Sequence, residues 1–270
     1  MTARARFSSN ARCRSPVFVV GCEAGNHAAN SMDHFRANLH VVLCQPRNPL
    51  NIGAAARAVG NFGCGGLRLV DPFDLAFREA VSAVGADYVL KDARVFQTVA
   101  EAVADCSLVV GTTAVGHREL QHPLHSIEQA GAALRETAVH TPVALLFGSE
   151  KFGLTNDEMS YCHWLTQIRT SPETPSMNLG QAVAVCLYEV VRSEPTARER
   201  PPHRPLSGAD AQQLTVMLLQ VLRESGYTNR IVADSLERKV RRFLRRANFS
   251  YRDAPLLLGM LRQILWKFRS

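Results

Sequence analysis

Between residues 39 and 191 the chain alternates short apolar runs with segments of helical period. Residues 39–44, 107–111, 142–147 and 164–168 are the apolar runs, and they suit strands buried in a parallel sheet. From 52 to 62, Ile52, Ala55, Ala56, Val59 and Phe62 share one helical face, and Gly63 is placed to end the helix. Pro46, Asn48 and Pro49 break regular structure ahead of it, which leaves Asn51 as the expected N-cap. Asn178 opens a second, strongly apolar helix over 179–191. The order of elements predicts an α/β domain.

Beyond residue 191 the pattern changes. Residues 198–205 hold Pro201, Pro202, Pro205 and three arginines, and read as a linker. Helices are expected over 206–223, 231–247 and 255–268. The middle one is sharply two-faced. Leu236, Val240, Phe243, Leu244 and Ala247 form one stripe, and Arg238, Arg241, Arg242, Arg245 and Arg246 the opposite one. A solvated charged face is the ordinary reading of such a stripe, yet only Asp234 and Glu237 offer compensation, so nucleic-acid contact stands beside it.

Three strand-to-helix junctions carry the chemistry. Residues 51–57 read NIGAAAR, 146–155 read LFGSEKFGLT, and 176–182 read SMNLGQA. Junctions of this kind gather glycine backbone, helix N-termini and a few polar side chains around one pocket. The three alanines clear bulk from around Arg57, which can reach a phosphate or a carboxylate; a solvated arginine on an amphipathic helix is the plainer alternative. Gly148 and Gly153 allow close backbone approach. Glu150 between them could accept loop amides or hold an arginine. Pro172 and Pro175 stiffen the third loop, and Ser176 and Asn178 stand at a helix N-terminus, where capping is their commonest role.

These three segments, in this order, resemble the signature motifs of the SPOUT RNA methyltransferases, in the TrmH-like branch that methylates ribose 2′-oxygens. The resemblance spans residues 39–191. It implies an α/β SPOUT fold with a parallel sheet and a C-terminal trefoil knot, a homodimer, and S-adenosylmethionine as cofactor. Matched residue by residue, Arg57 takes the place of the catalytic arginine, Asn51 opens the same motif, and Glu150 is the acidic residue of the second; Ser176 is a candidate helper in catalysis. Thr112, Thr113, Ala114, Gly148, Gly153, Ile168, Pro175, Ser176, Met177 and Asn178 match cofactor positions. Met177 stands where leucine is usual, and Pro175 where a small polar residue is common. Residues 242–247 (RFLRRA) and 258–262 (LGMLR) resemble the helical extension of the TrmJ branch, whose members methylate a pyrimidine ribose of the tRNA anticodon loop, at position 32. This implies tRNA as partner, with Arg57, Arg118, Arg238, Arg241, Arg242, Arg245 and Arg246 as RNA contacts. The donor carries its own leaving group, so no metal is expected.

Charge agrees once it is divided. The chain has 31 basic and 24 acidic residues, net +7. Residues 38–191 are net −5, whereas 192–270 are net +9, with 16 basic and 7 acidic groups. The tail therefore carries the field that attracts phosphate backbones. The expected division is a mobile extension over 1–37, a methyltransferase domain over 38–195, a linker over 196–205 and a basic helical tRNA-binding domain over 206–270. The extension, with Arg4, Arg6, Arg12 and Arg14, reads either as a transit segment or as an upstream start before Met32.

The remaining features mainly exclude. Seven scattered cysteines without C-x-x-C argue against a disulfide frame or zinc site, and suggest reduced thiols and a cytoplasmic protein. No apolar run approaches the roughly 20 residues that span a bilayer. His117, His122 and His125 lack a completing carboxylate or thiolate pattern, so a polar loop is expected rather than a metal site. Gly63 to Gly66 precede a strand instead of opening a helix, which disfavours a dinucleotide fold. A ribosomal-RNA 2′-O-methyltransferase of the same fold, or a non-catalytic RNA-binding module, are the competing functions; the second should have lost Arg57.

Overall fold

The computed structural model describes residues 35–73, 85–114, 122–193, 204–228 and 233–270. Arg118 and His117, most of the N-terminal extension and most of the expected linker lie outside the described residues.

Seven strands form one sheet: β1 (Leu39–Cys44), β2 (Gly66–Val70), β3 (Arg94–Phe96), β4 (Leu108–Thr112), β5 (Leu124–Ser126), β6 (Val143–Phe147) and β7 (Trp164–Gln167). Their order is β3-β2-β1-β6-β4-β7-β5, and every pairing is parallel. Both faces are covered, which explains why the sequence shows continuous apolar runs instead of alternation. On one face Val41, Leu43, Val110, Leu145 and Phe147 join a core closed by helices α1 (Pro49–Phe62), α4 (Ile127–Ala138) and α6 (Leu179–Val191). On the other, Val42, Cys44, Val109, Ala144 and Leu146 pack on Met159, Tyr161 and Cys162 and on α3 (Val99–Ala102). Short helices α2 (Asp87–Lys91) and α5 (Asn156–Met159) complete the body.

The start of α1 differs from expectation. Asn48 is the N-cap, its side chain accepting from Leu50 N at 2.9 Å, and Pro49 begins the helix. Proline suits the first helical position because its fixed φ and missing N–H cost nothing there. Asn51 thus lies inside the first turn, and its amide is free for another task. Gly63 ends α1 in the left-handed conformation (φ 64°) as expected. α1 and α6 cross so closely that a Cβ on Gly180 would sit 2.5 Å from the Ala54 Cβ, a fit only glycine allows.

The tail is three helices, α7 (Gly208–Glu224), α8 (Ala233–Arg246) and α9 (Asp253–Arg269), around Leu214, Leu219, Val240, Leu244 and Leu258. It docks on the body at the α7 N-terminus, where Gly208 N donates to Cys106 O (2.9 Å) and Ala209 N to Ala104 O (2.8 Å). Two arginines assigned above to an exposed RNA-facing stripe are buried here: Arg241 is 3% and Arg245 4% exposed. Conversely, Phe243 from the apolar stripe is 53% exposed. The reason is that α8 is wedged between α7 and residues 157–162 of the body, so two of its faces are covered instead of one.

Buried and half-buried imidazoles set an acid sensitivity. Burial, then Arg245, pulls His163 down to about 3, and its Nδ1 accepts from Val109 N at 3.1 Å, which fixes the neutral form. Burial, then Arg68, pulls His40 to about 4. Burial, then Arg242 and Arg246, does the same for His122, also to about 4. The unfolded chain binds these protons near 6.5 and the folded chain does not, so the histidine contribution is intact above that value and is lost as pH falls toward 4. Asp105 acts lower. Burial raises its carboxyl, but hydrogen bonds and charge from Arg68 outweigh that and hold it at about 2. The expected result is a melting temperature that declines from pH 7 to pH 4.5, measured by circular dichroism; a flat profile across that range would contradict these assignments.

Candidate functional site

The carboxyl ends of β6, β4 and β7 lie side by side, so the loops that leave them open on one edge of the sheet. Thr112 ties this edge together: its Oγ1 donates to Leu146 O at 2.9 Å, and Thr113 N donates to Thr166 O at 2.9 Å. The loop after β6 closes on itself. Gly153 N donates to Ser149 O (2.8 Å), Gly153 has φ 66°, and a Cβ on Gly148 would lie 1.9 Å from the Gly153 carbonyl carbon. Ile168 and the segment 168–178 leave the end of β7 and reach α6. Gln167 Oε1, at the same edge, is a buried acceptor without a hydrogen-bond partner among the described residues.

A chain of hydrogen bonds joins the three sequence motifs. Asn178 caps α6, its Oδ1 accepting from Gly180 N (2.9 Å) and Gln181 N (3.3 Å). Asn178 Nδ2 donates to Asn51 Oδ1 at 2.9 Å. Asn51, 7% exposed, donates through Nδ2 to Glu150 Oε1 at 3.0 Å. Glu150 also accepts from Asn48 N (3.0 Å) and Arg47 N (3.2 Å). Each amide uses both ends, so the chain orients both asparagines without ambiguity.

That geometry also sets the charge state of Glu150. Burial pulls its carboxyl up, but hydrogen bonds from Asn51 and from the Asn48 and Arg47 amides outweigh burial and hold it below the ordinary carboxylate range. Its carboxylate accepts the loop amides and the Asn51 side chain, the first of the two contacts expected of it. Arg57 lies on α1, exposed, and no described residue forms a hydrogen bond or ion pair with it. Ser176 is exposed in the loop before α6, as is Pro175, while Met177 is half-buried. Thr113 is half-buried and Ala114 exposed at the end of β4.

The basic helix divides into two sets. Arg241 and Arg245 face the body, whereas Arg238 and Arg242 are half-buried, Arg246 is exposed, and none of these three pairs with a described residue. Among the described residues no group of three or more His, Cys, Asp or Glu converges. His125 packs against Trp164 in a tilted arrangement, ring centroids 4.9 Å apart and planes at 60°, which accounts for that histidine. The described cysteines are free, and burial pushes the Cys106, Cys162 and Cys186 thiols up to about 12. No helix among the described residues is long and apolar enough to cross a membrane. Sequence reasoning missed Asn48 as the cap and Gln167 as an acceptor unpaired among the described residues. The first had a signal in Asn48-Pro49; the second had none.

A parallel sheet with three cross-linked strand-to-helix loops at its carboxyl edge defines an α/β protein of the open-sheet type, the class in which ligands bind at that edge. Comparison with known proteins sharpens this. The SpoU rRNA Methylase family matches residues 38–188, and the chain belongs to that family. It is 35% identical over 236 residues to a tRNA (cytidine/uridine-2′-O-)-methyltransferase TrmJ of Yersinia enterocolitica, covering 84% of this chain and 91% of that one. A TrmJ of Citrobacter koseri is also 35% identical, with 84% and 96% covered. The crystal structure of TrmJ from Z. mobilis ZM4 superposes with a TM-score of 0.73 at 34% identity, covering 83% of this chain and 98% of the other.

Proposed function

We propose that this protein transfers a methyl group from S-adenosylmethionine to a ribose 2′-hydroxyl of tRNA, at a pyrimidine of the anticodon loop. The observation that carries this reading is the Glu150–Asn51–Asn178 chain, which fastens the three motif loops around one crevice. The choice of tRNA over ribosomal RNA is supported by the extent of the similarity. The family match ends at residue 188, whereas the tRNA-modifying relatives cover 84% of the chain and so extend into the tail.

The residues present fit the donor. Thr112–Ala114, Gly148, Gly153, Ile168 and Pro175–Asn178 offer backbone donors and acceptors, small side chains and a few apolar contacts, and Gln167 Oε1 offers a buried acceptor. When bound, S-adenosylmethionine supplies an electrophilic methyl group on sulfonium. The protein must then grip the ribose and help its hydroxyl lose a proton. Arg57 cannot be the proton acceptor, because a guanidinium stays protonated at any physiological pH. Its role is to hold a substrate phosphate through its planar fork and to stabilise the oxyanion that develops on the 2′-oxygen. Ser176, exposed in the same loop as the Asn178 cap, is the side chain we assign to hydrogen-bond the same hydroxyl.

Outside the crevice, Arg238, Arg242 and Arg246 serve as the phosphate contacts of the tail. Changing Arg242 and Arg246 together to Ala is expected to weaken tRNA binding and to reduce the slope of log K against log salt by roughly 2, about one per phosphate lost. Filter binding across a salt series measures it; an unchanged slope removes them from the interface. A homodimer fits the apolar surface formed by Leu50 (63% exposed) on α1 and Val185 and Tyr188 (58%) on α6, with Tyr188 beside Phe62.

The reading is tested by incubating purified protein with methyl-labelled donor and separate pools of tRNA and ribosomal RNA. Nuclease digestion then locates the label. Label on a ribose of tRNA is the expected result; label confined to ribosomal RNA, or on a base, contradicts it.

A further inference from the structure

Arg241 sits in a seat made for a guanidinium. Its Nη1 donates to Asp157 Oδ1 (3.1 Å) and Ser160 Oγ (2.6 Å), and its Nη2 to Glu237 Oε1 (2.5 Å). Its Cζ lies 4.0 Å from the Tyr161 ring centroid. Ser160, wholly buried, passes the bond on from its Oγ to Asp157 O. Burying a guanidinium is costly unless charge and hydrogen bonds replace water; here two carboxylates and a hydroxyl meet its two Nη atoms and an aromatic ring its face, while Nε has no hydrogen-bond partner among the described residues. Glu237 belongs to α8 itself. The other three partners belong to the catalytic body.

Those three continue directly from the loop that closes the crevice. Leu154 follows Gly153, and Thr155 and Glu158 cap α5 reciprocally, Thr155 N donating to Glu158 Oε2 at 2.6 Å and Glu158 N to Thr155 Oγ1 at 3.2 Å. The backbone of Gly153 and Leu154 presses on Gly148, where an added Cβ would lie 2.0 Å from Leu154 N. Cys162 and Leu154 also press on Gly111 at the end of β4: a Cβ there would meet Cys162 Sγ at 2.7 Å and Leu154 Cδ1 at 3.0 Å. Two walls of the crevice, Gly111–Ala114 and Gly148–Gly153, therefore rest on the segment that Arg241 holds.

We propose that Arg241 is a positioning residue for the methyl-donor pocket: from the tail, it clamps residues 157–161 and so holds the 148–154 loop and the end of β4 in the shape the donor requires. The tail is then part of the donor site as well as of the RNA surface. This rests on the reading of the crevice as the donor's seat. Lys239, exposed on the same helix, with no described partner and outside the assigned RNA contacts, supplies the contrast, since its loss leaves that segment untouched.

The test uses the full chain without RNA. S-adenosylhomocysteine is titrated by calorimetry into the wild type, Arg241→Met, Arg241→Lys and Lys239→Met, and amide hydrogen exchange is followed over residues 148–162. Arg241→Met is expected to weaken the ligand about tenfold and to speed exchange in that segment. Arg241→Lys recovers part of both, because one ammonium still reaches Asp157, and Lys239→Met matches the wild type. Wild-type affinity and exchange in Arg241→Met would overturn the proposal. Should that variant fail to fold, Asp157→Asn decides from the other side of the pair: a loss of about threefold in affinity with faster exchange supports the clamp, and no change overturns it. A wild type that binds no S-adenosylhomocysteine would refute the donor reading, and exchange in the Arg241 variants still decides whether the clamp exists.

Discussion

Replacing Arg57 by alanine is expected to lower turnover by about 10²- to 10³-fold, the usual effect of removing one donor to a developing oxyanion. The fold should not suffer. Arg57 is exposed and bonds to no described residue, so its melting temperature should stay within a degree or two of the wild type, as surface substitutions do. Donor binding should also be unchanged, because Arg57 is assigned to the ribose and its phosphate. Arg57→Lys is the sharper variant. It keeps the charge but replaces a planar fork by a point charge, and turnover should remain at least tenfold down. A lysine enzyme with near-normal turnover would rule out the forked grip. Single-turnover methylation of tRNA, paired with calorimetry on S-adenosylhomocysteine, separates these outcomes.

Gly148→Ala should have the other large effect, on binding rather than turnover. The new methyl would fall 1.9 Å from the Gly153 carbonyl carbon and 2.3 Å from its oxygen. These are backbone atoms and cannot rotate aside. The loop over 148–153 must open, which separates Glu150 from the Arg47 and Asn48 amides and from Asn51. Overpacking of this kind costs about 1–3 kcal/mol or more, and donor affinity is expected to fall by about a hundredfold. The same substitution at Gly153 meets nothing within 4 Å but must adopt φ 66°, so it strains the loop without the clash and should be milder. If Gly148→Ala binds the donor as well as Gly153→Ala does, the loop is not a wall of the pocket.

Much of the body could be read before the structure was known, for a physical reason. β1, β4, β6 and β7 lie in the middle of a sheet covered on both faces, and such strands write themselves as uninterrupted apolar runs. β3 and β5 are three-residue edge strands whose sequences, RVF and LHS, carry no such run. Arg68 in β2 is polar yet buried, because its partner Asp105 arrives 37 residues later through the chain. The site was legible in its residue types and less so in their roles. Glu150 had two readings, and only the approach of the Arg47 and Asn48 amides chose between them. Asn51 looked like a cap because the Pro49 start was read as a break. Arg241 and Arg245 were misplaced because helical periodicity describes one helix against one neighbour, whereas α8 has two.

The most direct test is a crystal structure grown with S-adenosylhomocysteine. The ligand is predicted to lie among residues 112–114, 148–153 and 168–178, with Arg57 at the open side of the crevice where a ribose would enter. Electron density for the ligand at any other edge of the sheet, or an Arg57 side chain directed away from it, would contradict the account.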